Sequence, residues 1–181
     1  PWSAPILSPD RLTVPELLRE HGYATGMIGK WHLGLSYTTK DGQPAASGAD
    51  KMSNVDFSKP IADGPTARGF DQYFGVNVPN YAPFCFIEND RTVGTPSEFL
   101  NPELLKNNQA SIQGPALRDW TLEPILPALG DRAVEFIAGS AGKTEPFLLY
   151  LPFTSPHTPL SVNEAWKGKS GLNPFADFVM E

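Results

Sequence analysis

The chain has 181 residues, 40% of them hydrophobic, with 14 basic and 20 acidic side chains for a formal net charge of -6. That size and apolar content support one domain with a real core, and the acidic balance argues against a nucleic-acid backbone as partner. The single cysteine, Cys85, excludes an internal disulfide framework, and no apolar run approaches membrane-spanning length.

Residues 1–12 read as an extended loop. The chain opens on Pro1 without an initiator methionine and closes on what reads as the first turn of a helix, 175–181. We therefore expect an internal fragment, in which a missing signal peptide says nothing about location. Thr13-Val-Pro-Glu16 has the spacing of a capping box, with Pro15 in the first turn. It predicts a helix over 14–21 whose buried side is Leu17 and Leu18, closed by Gly22. His21, at the helix end, is expected to interact with the last carbonyls. A strand follows over 23–28, then a turn from Gly29 to Gly34.

Residues 35–67 show no periodicity and read as a long loop. Arg68 to Gly75 is an aromatic segment expected to return to the core as a strand or turn. Residues 96–129 read as irregular, with a small hairpin near 99–112. A helix is predicted over 131–137, with Ala133, Val134 and Ile137 on one face. Phe147-Leu-Leu-Tyr-Leu151 is apolar without alternation, as expected of a central strand covered on both faces. Residues 161–174 read as loop. The 19 prolines, about twice the usual share of roughly 5%, are spread along the chain, as in ordered loops rather than a disordered tract.

The chemistry concentrates at two strand ends. In an extended segment, residues two apart face the same side. Lys30 and His32 would then converge on one anionic group, while Trp31 faces away and anchors the turn. Gly26, Gly29 and Gly34 leave the backbone free to bend there. A second strand end delivers His157 in a turn set by Pro156 and Pro159. In open α/β sheets, ligands sit outside the carboxyl ends of strands. On the first stretch alone two readings stand equally: an anion site, or a strand end with a solvated lysine and a histidine satisfied in the core.

Gly22-Tyr-Ala-Thr-Gly-Met-Ile-Gly-Lys-Trp-His-Leu-Gly34 resembles the second signature of the type I sulfatases, the formylglycine-dependent arylsulfatase family. Gly69-Phe-Asp-Gln-Tyr-Phe-Gly75 resembles the next family landmark, and 145–159 resembles the strand and loop carrying the later active-site histidine. Trp166-Lys-Gly-Lys-Ser170 and 177–181 resemble the approach to the following helix. The resemblance implies a partial alkaline-phosphatase-like α/β fold, a central mixed sheet flanked by helices and incomplete at both ends. Residues 1–181 would form part of a single sulfatase catalytic domain. It implies sulfuric ester hydrolysis by a formylglycine beside calcium, on a sulfate ester substrate such as a sulfated carbohydrate. Lys30 would contact formylglycine and sulfate, His32 would hydrogen-bond the hydrated aldehyde, and His157 would protonate the leaving alkoxide.

The departures from the family pattern are as informative. No Cys-x-Pro-x-Arg motif occurs, and Cys85 lacks the following Pro and Arg, so it reads as a buried small apolar residue. The formylglycine, the calcium ligands and a second lysine of the site would lie outside these residues. Asp10, Asp71 and Asp177 read as solvated carboxylates or caps. At 79–81, where many relatives carry a Ser-Asn-Asp-like run, only Asn80 matches. Two alternatives remain: a phosphoesterase or phosphonate hydrolase of the same superfamily, or a non-catalytic binder of sulfated glycans. The 181 residues alone are expected to be inactive.

Overall fold

The structure is a computed structural model that describes residues 5–47, 52–105 and 111–181. Its first helix, α1, spans Val14–Glu20. The capping box forms as predicted: Glu16 N–H donates to the Thr13 hydroxyl, and the Thr13 N–H donates to the Glu16 carboxylate at 2.8 Å. His21 Nδ1 lies 2.8 Å from the Leu17 carbonyl, so this histidine closes the helix. The buried side differs from expectation. Only Pro15 is buried, Leu17 is 41% exposed and Leu18 is half-buried. Seven residues give less than two turns, too few to turn a full apolar stripe toward a sheet.

Strand β1, Ala24–Lys30, is the centre of the molecule. It pairs in parallel with β4, Gln72–Val76, on one side and with β9, Phe147–Tyr150, on the other. Beyond β4 the sheet continues antiparallel through β5, Ile87–Glu88, and β6, Arg91–Thr92. The five-stranded order is β6-β5-β4-β1-β9. The sheet is therefore mixed, as expected. Alternation along β1 divides the core: Met27 packs with Trp31, Phe70 and Tyr73 on one face, and Ile28 with Phe74, Val76 and Leu129 on the other.

Helix α2, Ile125–Ser140, covers the Ile28 face. It begins six residues before the predicted helix, because Pro127 falls in the first turn, where its missing N–H has no intrahelical partner anyway. Its buried stripe is Ile125, Leu129 and Ala133, at i, i+4, i+8, while Val134 is 67% exposed and Ile137 is 42% exposed. Of the predicted face, Ala133 is buried as expected, while Val134 and Ile137 are not. The helix sits close to the sheet. A Cβ on Gly26 would lie 2.5 Å from the Phe136 ring, and Arg132 stacks over Phe74 at 4.3 Å while pairing with Glu88 at 3.0 Å.

Strand β9 is the clearest correction. It is an edge strand, with Phe147 and Tyr150 exposed. An unbroken apolar run reports a tendency to be buried, not which element does the burying. Among the described residues nothing pairs with its outer side. On the α1 face an apolar groove of about 330 Å³ runs past Leu7, Val14, Leu148 and Tyr150.

The segment 35–67 is not structureless. Strands β2, Ser36–Tyr37, and β3, Ile61–Ala62, form an antiparallel ribbon, extended by a Thr39–Val55 bridge. The expected hairpin near 99–112 closes further out, with β7, Glu98–Phe99, paired to β8, Pro115–Ala116. Part of it, 106–110, lies outside the described residues. Residues 161–173 form turns, and α3, Pro174–Met180, begins at the expected place.

Candidate active site

Lys30 is the last residue of β1 and half-buried. Gly29 precedes it at φ 138°, a value that favours glycine. A Cβ there would lie 2.1 Å from the Pro152 carbonyl. This close approach lets the ends of β1 and β9 meet: Lys30 N–H donates to Pro152 O at 2.9 Å. On the other side, the β4 end continues the ladder. Trp31 N–H donates to Val76 O and His32 N–H to Asn77 O, both at 3.0 Å. The turn is thus clamped between the carboxyl ends of both neighbouring strands.

Trp31 is 6% exposed, packs into the Met27 face and donates from Nε1 to Gly34 O at 2.7 Å. Its anchoring role is as predicted. The route taken by His32 is not. The extended strand ends at Lys30, and His32 adopts the left-handed conformation, φ 56°. A left-handed residue, and not strand alternation, therefore sets the imidazole's direction. His157 comes from the loop after β9, its N–H bonded to Thr154 O at 3.1 Å and its Nδ1 against Thr158 O.

The electrostatics bring the three side chains into one field. Burial lowers the His32 pKa below its ordinary value, and the charges of Lys30 and His157 push it the same way. Burial also lowers the Lys30 pKa. Among the described residues Lys30 has no carboxylate or hydrogen-bond partner for its ammonium. A half-buried lysine with no counter-charge among the described residues, at the carboxyl end of a central strand, can receive an anion.

The other candidates are structural. Cys85 is fully buried, and burial pushes its thiol up, which keeps it a thiol. Asp71 accepts from the Thr25 N–H at 2.9 Å and from the Thr25 hydroxyl at 3.0 Å. Asp177 is buried and accepts from the Gly168 and Ser170 N–H groups, each at 2.8 Å, which ties the 166–170 loop to α3. Asp10 accepts from the Ser8 hydroxyl. Among the described residues no cluster of three His, Cys, Asp or Glu could hold a metal ion. Calcium therefore does not fit on these residues alone.

Two residues were missed or undervalued at the sequence level. Asn80, in the turn after β4, is 1% exposed, and neither side-chain polar atom has a partner among the described residues. Tyr73, 1% exposed, places its hydroxyl 3.3 Å from Gly29 O and 3.1 Å from Val76 O, on either side of Lys30. The sequence marks both positions only within family-like stretches and gives no sign of their burial or of the Tyr73 hydroxyl meeting Gly29 O on β1.

A family model described as Sulfatase matches residues 4–174. An N-acetylgalactosamine-6-O-sulfatase of Bacteroides thetaiotaomicron is 29% identical over 94% of this chain and 37% of its own length. Arylsulfatase G of Mus musculus is 30% identical over 83% of this chain and 26% of its own length. A solved structure titled for glycosaminoglycan metabolism by Bacteroides thetaiotaomicron superposes with a TM-score of 0.70 at 27% identity. It covers 98% of this chain and 42% of that one. A solved structure titled as Ps i-CgsB in complex with k-i-k-neocarrahexaose shares the fold at a TM-score of 0.58 and 20% identity. The chain thus spans about a quarter to two fifths of the length of these relatives, and it belongs to the sulfatase family.

Proposed function

We propose that the whole protein is a sulfuric ester hydrolase, and that residues 1–181 are part of its single catalytic domain. The observation that supports this reading is that His32 feels the charges of both Lys30 and His157 beyond the ends of β1 and β9, while Lys30 has no carboxylate partner among the described residues. Such a site suits the sulfuryl group of a sulfate ester. Lys30, held on a strand end, offsets charge that builds on the sulfuryl oxygens and needs little reorganisation to do so. His32, with its pKa lowered, is the neutral base that takes a proton from the attacking group. His157, in the loop after the neighbouring strand β9, is the acid that returns a proton to the leaving alkoxide. An anion bound here would raise the pKa of Lys30 and His32, so ligand binding and protonation are coupled.

The resemblance implies a formylglycine nucleophile and calcium. The residues described here supply neither, so both are assigned to other parts of the protein and no step above runs through them. For the substrate we propose a sulfated carbohydrate. Support comes from the relatives: one is named as an N-acetylgalactosamine-6-O-sulfatase, and a fold neighbour is titled as a complex with neocarrahexaose. Side-by-side assays of the whole protein on aryl sulfate, aryl phosphate and sulfated oligosaccharides test the reading. Sulfate release is expected. Preferential phosphate release would assign a phosphoesterase, and glycan binding without turnover a non-catalytic binder.

A further inference from the structure

The ammonium of Lys30 has no side-chain partner among the described residues, so its position must come from the backbone that carries it. That backbone is held from an unexpected direction. Lys30 lies opposite Val76 in the β1–β4 register. Tyr73, three residues earlier on β4, turns its ring into the Met27–Trp31 core and brings its hydroxyl between two carbonyls. One is Gly29 O, immediately before Lys30. The other is Val76 O, which also receives the N–H of Trp31, immediately after Lys30. The hydroxyl lies within donating distance of both, 3.3 Å from the first and 3.1 Å from the second.

The Gly29 carbonyl is confined further by Gly75, where a Cβ would fall 1.8 Å from it. The hydroxyl and the bare Gly75 backbone therefore set where that peptide plane can lie. A hydroxyl in an apolar core is costly unless bonded, so a phenol here, rather than a phenyl ring, is explained by these two acceptors. Burial also pushes the Tyr73 pKa far up, so the group remains a donor throughout the working range.

We propose that Tyr73 is a positioning residue for Lys30: its hydroxyl fixes the two carbonyls that bracket the lysine and so aims the ammonium at the anion site. The consequence for turnover rests on the sulfatase reading above; the consequence for Lys30 itself does not. In the whole protein, Tyr73→Phe keeps the ring and removes the donor. The Lys30 ammonium, no longer held in its half-buried place, is expected to titrate closer to the ordinary lysine value, as read by lysine side-chain NMR. Turnover of aryl sulfate is expected to fall about tenfold through kcat, in line with the sensitivity of catalysis to small displacements.

Ile87→Val, in the same core cluster but with no side-chain hydrogen-bonding group, is the control for general loosening and should leave the Lys30 titration unchanged. Replacing Tyr73 with 4-aminophenylalanine restores a donor and should restore the titration. A Lys30 titration that is unchanged in Tyr73→Phe, or shifted equally in Ile87→Val, overturns the proposal whatever the activity does. If the unaltered protein releases no sulfate, the sulfatase reading fails, while the Lys30 titration still decides the role of Tyr73.

Discussion

The two strand ends that deliver the site histidines are built in opposite ways. β1 is paired on both sides, and its turn is bonded to both neighbours, to Pro152 O on one side and to Val76 O and Asn77 O on the other. β9 is paired on one side only, and His157 is held by local bonds to Thr154 and Thr158 between two prolines. The first end owes its geometry to the sheet and the second to its own loop. In the proposed mechanism Lys30, which would need fixed placement to offset charge, sits on the braced end, and His157, which would exchange a proton with a leaving group, sits in a loop held only by its own local bonds.

The largest test of this contrast is catalytic. In the whole protein, Lys30→Ala and His157→Ala are each expected to lower sulfate ester turnover by about 10²-fold or more. A leaving group that needs no proton, such as nitrophenolate, should rescue His157→Ala but not Lys30→Ala; equal rescue of both would remove the division of roles. The next test strikes the bracing. Gly75→Ala puts a Cβ against the Gly29 carbonyl and should destabilise the fold by about 3 kcal/mol or more in denaturant unfolding. A stability unchanged within error would mean that the strand ends do not meet as described.

The third test is electrostatic. The His32 pKa is depressed in the folded state. The unfolded chain therefore binds more protons in the window below the ordinary value of 6.5, and stability is lost as pH falls through that window. Lys30→Ala should move the His32 titration back toward 6.5 by more than His157→Ala does, because Lys30 is the larger of the two charge effects. Proton NMR of the imidazole reads this directly, and the reverse order would place His32 nearer the loop than the braced end. The smallest effect expected is local. Thr13→Ala removes the α1 cap and should cost about 1 kcal/mol, without changing the Lys30 or His32 titrations.

What could be read in advance follows the range of the interactions. The α1 cap, the β1 strand and the His157 turn were legible because each is decided within a few residues: a Thr three before a Glu, a helix-ending Gly22, two prolines around a histidine. The α2 face was misread because a three-residue sample of an i, i+4 pattern fits more than one stripe. Only packing into the core around Phe74 picks Ile125, Leu129 and Ala133. The ribbon joining β2 to β3 was invisible because its partners lie more than twenty residues apart and its strands are two residues long.

From its sequence alone, this protein declared two polar clusters at two strand ends, a lysine with a histidine and then a second histidine, since residue type and spacing are local properties. Only the tertiary structure decided that β1 lies between β4 and β9, that Gly29 and Gly75 let those strands close on one another, and that His32 leaves the strand end in a left-handed conformation. Tyr73 bridging Gly29 and Val76 belongs to the same class. These features depend on backbone groups from separate strands meeting at hydrogen-bond distance, which no local pattern encodes.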